Sequence, residues 1–174
     1  MFSLNDKVVY PGHGVAQITR IIQKLVAGQT TSYYELKFIN KDMTVLVPTQ
    51  SVGSMPIRPL SSREHVKEAL NVLTMPARRI NSYEFTASCW NKRNKEYQIK
   101  LRAGGLRELS EIYRDLRFLG MHKELSFGEK NLLAQTEGLL AEEISLVEKM
   151  EHDRAILYLR SMCATPYKTY VVAE

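Results

Sequence analysis

The chain predicts an α+β protein of two domains: a small β-barrel, then an all-α domain of about five helices. Two periodicities carry this. Before residue 60, apolar residues recur at every second position: Tyr34, Leu36 and Phe38 alternate with Tyr33, Glu35 and Lys37. Successive strand residues face opposite sides, so this pattern marks a half-buried strand. Beyond Leu60 the period lengthens, and Val66, Leu70 and Leu73 fall on one helical face. No repeat and no low-complexity linker separates the two regions, so the domains join directly near residue 60.

The elements follow in order. Lys7-Val8-Val9-Tyr10 is a short strand, broken by Pro11-Gly12-His13-Gly14, whose two glycines can take positive φ. Residues 15–26 form a longer apolar run, and Ala27-Gly28-Gln29 reads as a hairpin turn. Asn40-Lys41-Asp42 is the next turn, and residues 43–47 form a strand stopped by Pro48. Four or five short strands with tight turns favour a barrel, since a flat sheet leaves exposed edges. Ser61-Ser62-Arg63-Glu64 reads as a capping box for the first helix, and Met75-Pro76 ends it. Residues 77–87 are ambiguous. A second helix starts near Ser88 and stops at Gly104-Gly105. A third runs from Leu106 to Leu119 and ends at Gly120, with Leu109, Ile112, Tyr113 and Leu116 inward. Ser126-Phe127-Gly128-Glu129 is a second capping box, opening a long helix through Leu132, Leu139, Leu140 and Ile144. A last helix covers residues 153–163, ended by Thr165-Pro166. The tail, 166–174, reads as an added strand or as disorder.

Composition narrows the function. Apolar residues are 44% and charged residues 25% of the 174, which is ordinary globular composition. Cys89 and Cys163 form no C-x-x-C pair, which argues against a disulfide framework or a zinc site. No apolar run approaches the ~20 residues that cross a membrane, and the first residues lack a signal-peptide pattern. A reduced, cytoplasmic protein is expected. Catalytic chemistry finds no support. His13 stands between two glycines and reads as a structural turn histidine, while His65, His122 and His152 are isolated. The glycines form neither a P-loop nor a dinucleotide fingerprint. Glu142-Glu143 reads as a solvated pair. The expectation is a non-enzyme with no catalytic residue, no cofactor and no metal.

Charge points elsewhere. Residues 1–60 carry net +3, residues 61–123 net +6 and residues 124–174 net −4. The middle block is the natural phosphate-facing region, although a solvated helix face gives the same count. Trp90, the only tryptophan, heads its most basic stretch, Trp90-Asn91-Lys92-Arg93-Asn94-Lys95. Cations neutralise phosphates, and a flat ring can wedge against an unstacked base step. Against this, Trp90, Tyr97 and Leu101 fall on one helical stripe at ~100° per residue, the placement of a core ring.

The order of motifs settles the balance. Lys7-Val8-Val9-Tyr10-Pro11-Gly12-His13-Gly14-Val15 precedes a strand ending Thr44-Val45-Leu46-Val47-Pro48. Trp90 on its basic helix, Tyr113-Arg114-Asp115-Leu116 and Leu125-Ser126-Phe127-Gly128-Glu129-Lys130 follow. Over roughly residues 1–160 this closely resembles the CarD family of bacterial transcription regulators, including its CdnL branch. The N-terminal module of transcription-repair coupling factors is a weaker match, because this chain has no helicase motor.

The resemblance implies a Tudor- or SH3-like barrel, residues 1–60, that binds the β subunit of RNA polymerase. It implies a helical DNA-binding domain, residues 61–165, that lies over promoter DNA at the upstream edge of the bubble and stabilises the open promoter complex. The family's tryptophan matches Trp90 and wedges into the minor groove. Lys92 and Arg93 match basic positions that face phosphate, and Lys95 and Lys130 complete the expected DNA-binding set. Lys24, Thr44, Leu46 and Pro48 are the expected polymerase-binding residues. Some members carry a basic residue where this chain has Leu46, so its contact should be more apolar and use strand addition at an edge. A monomer that reads no base sequence and needs no membrane is expected. The alternative is an RNA- or ribosome-associated adaptor with no polymerase role.

Overall fold

The computed structural model describes residues 2–50, 57–77 and 87–163. The chain divides into two compact units, residues 1–60 and 61–174. The first holds one antiparallel sheet: β1 (Lys7–Tyr10), β2 (Gly14–Val26), β3 (Gln29–Phe38), β4 (Thr44–Pro48) and β5 (Arg58–Pro59). The strand order is β4-β3-β2-β1-β5, so the last strand returns to the far side of β1. Val8, Ala16, Ile18, Leu36, Phe38 and Val47 close a core on one face. Pro48 does not stop β4 but pairs with Tyr33 as its last residue. A proline fits there because β4 is an edge strand of the described sheet.

Three backbone features shape this unit. Gly12 (φ 75°) and Gly14 (φ 114°) turn the chain between β1 and β2. The His13 ring lies 5.1 Å from that of Tyr10 and 6.4 Å from that of Phe38, and its carbonyl accepts from Lys41 Nζ at 2.6 Å; it packs as a structural turn residue. Ala27 (φ 52°) and Gly28 (φ 78°) are both left-handed in the β2–β3 turn, as a two-residue hairpin requires. A bulge between Ile18 and Arg20 shifts the β2–β3 register. It sends Arg20 outward opposite Glu35 and keeps Ile21 opposite the buried Tyr34. Past the bulge the burial ends: Ile21, Leu25 and Val26 are exposed, and the hairpin overshoots the core as an arm.

The second unit holds α1 (Arg63–Thr74), α2 (Ala87–Ala103), α3 (Leu106–His122), α4 (Phe127–Glu148) and α5 (His152–Met162). Leu73, Ile112, Tyr113, Leu116, Leu140 and Leu159 are fully buried in one shared core. The α1 cap is Ser62, whose side chain accepts from the His65 N–H, not the Ser61-to-Glu64 box expected. Ser126 and Glu129 do form the reciprocal box at α4. Helix α3 runs through Gly120 to His122, so this glycine does not stop the helix; a Cβ there would make ordinary contact with Leu125 at 3.4 Å. Glu142 and Glu143 are not solvated: both are buried, and Glu143 Oε1 accepts the Ser61 N–H at 2.9 Å. Residues 166–174, the expected tail, lie outside the described residues. Among the described residues, no helix is long and apolar enough to cross a membrane.

Candidate nucleic-acid interface

Helix α2 sorts its cations by face. Trp90, Arg93, Tyr97 and Leu101 are spaced three or four apart, so they share the inner stripe. Lys92, Lys95, Ile99 and Arg102 are exposed on the opposite side. Trp90 itself is half-buried at the margin of the helical core. Its ring centroid lies 6.5 Å from that of Tyr97 at an interplanar angle of 53°. Its other support is Gly128, in the first turn of α4, where a Cβ would lie only 3.3 Å from Trp90 Cζ2. The ring therefore has a fixed seat and an edge left to solvent.

Beneath that seat lies a buried charge cluster. Glu129 is 1% exposed. Its carboxylate accepts from Arg93 Nη2 at 3.3 Å, Lys123 Nζ at 2.8 Å and the Ser126 N–H at 2.8 Å. Burial works against its charge, but the lysine and the Ser126 donors outweigh burial and hold the Glu129 carboxyl below its ordinary value. Arg93 is thereby placed differently from its expected role. Its residue is 4% exposed and faces Glu129 rather than a phosphate. A buried ion with such a partner costs less than one left alone, so Arg93 ties α2 to α4. Lys92 and Lys95 remain exposed on α2. Lys130 is exposed and ion-paired at 3.1 Å with Glu124, itself 88% exposed.

Two motifs far apart in the chain thus form one junction: Trp90 and Arg93 from α2, Gly128, Glu129 and Lys130 from α4. The sequence reading gave Glu129 only a capping role and missed Phe127. That residue opens α4 beside Gly128 and is 81% exposed. The available signal was a bulky aromatic directly after a helix cap, outside the apolar stripe of its own helix.

In the first unit, the strand register places the other expected residues. Cross-strand partners project from the same face. Glu35 pairs with both Arg20 and Leu46, Tyr33 with both Ile22 and Pro48, and Lys37 with Thr44. Leu46, Pro48 and Thr44 therefore share the outer face with Arg20, Ile22 and Lys24. Lys24 and Thr44 are exposed; Leu46 and Pro48 are half-buried. The face combines aliphatic and aromatic area with an Arg20–Glu35 ion pair at 3.7 Å. Among the described residues no group of three or more His, Cys, Asp or Glu could hold a metal ion.

The two units match two described domains. Residues 2–61 match the CarD-like/TRCF RID domain, and residues 69–160 match the CarD C-terminal domain. A Bacillus subtilis (strain 168) protein with a transcription-factor designation, YdeB, is 27% identical over 148 residues, covering 85% of this chain and 93% of that one. The solution NMR structure of the 72-residue N-terminal domain of Myxococcus xanthus CarD aligns at 30% identity with a TM-score of 0.31, covering 34% of this chain and 79% of that one. With an N-terminal sheet and a C-terminal helical unit each matching its counterpart in order, the chain belongs to the CarD family, a family of transcription factors.

Proposed function

We propose that this protein binds the β subunit of RNA polymerase through the outer face of its sheet and stabilises the open promoter complex through the α2–α4 junction. The observation that carries this reading is the seating of Trp90. A ring held by Tyr97 and Gly128, with one edge free on a helix whose outer face carries Lys92 and Lys95, is suited to brace a distorted base step without reading its sequence. Lys92, Lys95 and Lys130 supply the phosphate contacts; Arg93 ties α2 to α4 through Glu129. On the sheet, Lys24, Thr44, Leu46 and Pro48 form the polymerase contact, with β4, an edge strand among the described residues, offering its edge for strand addition. Holding a melted step apart lowers the rate of bubble collapse, which activates or represses according to the step that limits a promoter.

The test is Trp90→Ala in the full chain. Open-complex lifetime on a weak promoter should fall while polymerase capture persists. Because the ring is half-buried, the variant should also lose about 2 kcal/mol, below the ~3–5 kcal/mol of a fully buried tryptophan. An unchanged lifetime, or a loss of function wholly explained by unfolding, overturns the reading.

A further inference from the structure

We propose that Phe127 is a second aromatic contact to unpaired promoter bases, set beside Trp90 by Gly128. The inference rests on the bubble-edge reading above. Phe127 is the first residue of α4, immediately after the Ser126 cap, and at 81% it exceeds every other exposed large apolar side chain named in the described residues, Leu25 at 74% included. A scattered exposed apolar residue needs no explanation. This one is bonded to the glycine on which the Trp90 ring rests, so two large rings emerge at the same corner of the helical unit.

The surroundings indicate what covers it. Lys130 lies one turn further along the same side of α4. On α2, Lys92 and Lys95 are exposed on the face turned away from the Trp90 stripe, and the first-turn amides of α4 add partial positive charge. Glu124, beside this corner, is ion-paired to Lys130. An occupant must offer negative charge and a flat apolar face together. Melted DNA offers both, since an unstacked nucleotide carries the π-face of its base and a backbone phosphate, and stacking on an aromatic side chain is tolerant of base identity.

Gly128 sets the spacing. A glycine in a helix is less favourable than alanine, so its presence in the first turn needs a cause. The cause is the Trp90 ring, which a Cβ would meet at 3.3 Å. An alanine there makes the ring give by a few tenths of an ångström, which changes its position relative to Phe127.

The experiment forms open complexes from polymerase holoenzyme and the full chain on a promoter carrying 2-aminopurine at the first unpaired position of the upstream edge. Phe127→Ala should shorten the complex lifetime on the order of tenfold, within the range that base–aromatic stacking supplies. Phe127→Tyr should keep it; Phe127→Leu, which keeps apolar area but no π-face, should not. Quenching of the probe should weaken with Ala and Leu only, and the melting temperature should hold throughout. Gly128→Ala should keep or raise the melting temperature, shift the emission of Trp90, the only tryptophan, and shorten the lifetime. The proposal is overturned if Phe127→Ala behaves as wild type while Trp90→Ala does not, a result that leaves the Trp90 reading intact. It is overturned if leucine serves as well as phenylalanine, or if Phe127→Ala weakens polymerase capture without DNA, which marks a protein contact. If Trp90→Ala also behaves as wild type, the bubble-edge reading falls with it.

Discussion

The outer face of the sheet and the α2–α4 junction present functional side chains in opposite ways. On the sheet, Thr44, Leu46, Pro48 and Lys24 project from a register fixed by backbone pairing. At the junction, Trp90 is seated against Tyr97 and Gly128 on two helices tied together by the buried Arg93–Glu129 pair. A face carried by a ladder can change its residues at little cost to the fold. A face carried by a buried ion pair cannot.

The largest expected contrast comes from Glu129→Ala. It removes one half of the α4 capping box and leaves Arg93 buried without its carboxylate. Breaking a buried pair costs roughly 3–5 kcal/mol, and the helical unit should show that loss in urea or thermal unfolding. If the variant loses under about 1 kcal/mol, the junction is not held as described.

Acid should sharpen the same contrast. Burial opposes the charge of Glu111, Glu129 and Glu137, yet Lys100, Lys123 and Arg160 lead the interactions that hold each carboxyl below its ordinary 4.5. A carboxyl depressed on folding stabilises fully above its unfolded value and loses that contribution as pH falls through its folded value. Unfolding of the helical unit followed by circular dichroism should therefore weaken progressively below about pH 4.5. Glu129→Gln should flatten that decline; an unchanged pH profile speaks against the role given to this carboxylate.

Leu46→Glu should reverse the order of effects. The residue is half-buried on the outer face, so stability should move by under ~1 kcal/mol. Polymerase capture should weaken by about tenfold or more, as for a central interface contact. Equal losses of both would place Leu46 in the core of its unit. The smallest expected change is a gain. Ala27 holds φ 52° at the arm's tip, a conformation that costs a non-glycine residue about 1–2 kcal/mol. Ala27→Asn should recover about 0.5–1 kcal/mol, read as a higher melting temperature with capture unchanged.

Much of the architecture was legible because periodicity reports burial directly. The alternation at Tyr34, Leu36 and Phe38 and the Ser126–Glu129 box stand in the structure as read. What was not legible depends on partners distant in the chain. Arg93 sits in register with Trp90 and Tyr97, yet a charge on an apolar stripe reads as an outward exception until Glu129, thirty-six residues on, is seen beside it. Glu143 reads as solvated until the Ser61 amide arrives from eighty-two residues away. Gly120 reads as a helix stop because its conformational freedom is local, whereas α3 carries on through it to His122. The pairing of β5 with β1 leaves no periodic trace, since two residues are too few. The Trp90 seat was half legible: the stripe gave its inner neighbour Tyr97, but not Gly128.

The overshooting β2–β3 hairpin has a consequence for how such a protein can diverge. Past Ile22 and Tyr33, where β4 ends at Pro48, the arm is held by its own two-stranded ladder, while the core ends near Ile18 and Tyr34. Its reach can therefore be tuned like a telescoping rod, by adding or removing two residues in each strand, a change of about 7 Å. Steps of two preserve which side chains face outward; a step of one turns the whole tip over. The bulge at Thr19 is the joint at which that parity is set once, leaving the length of the arm free to vary without repacking the core.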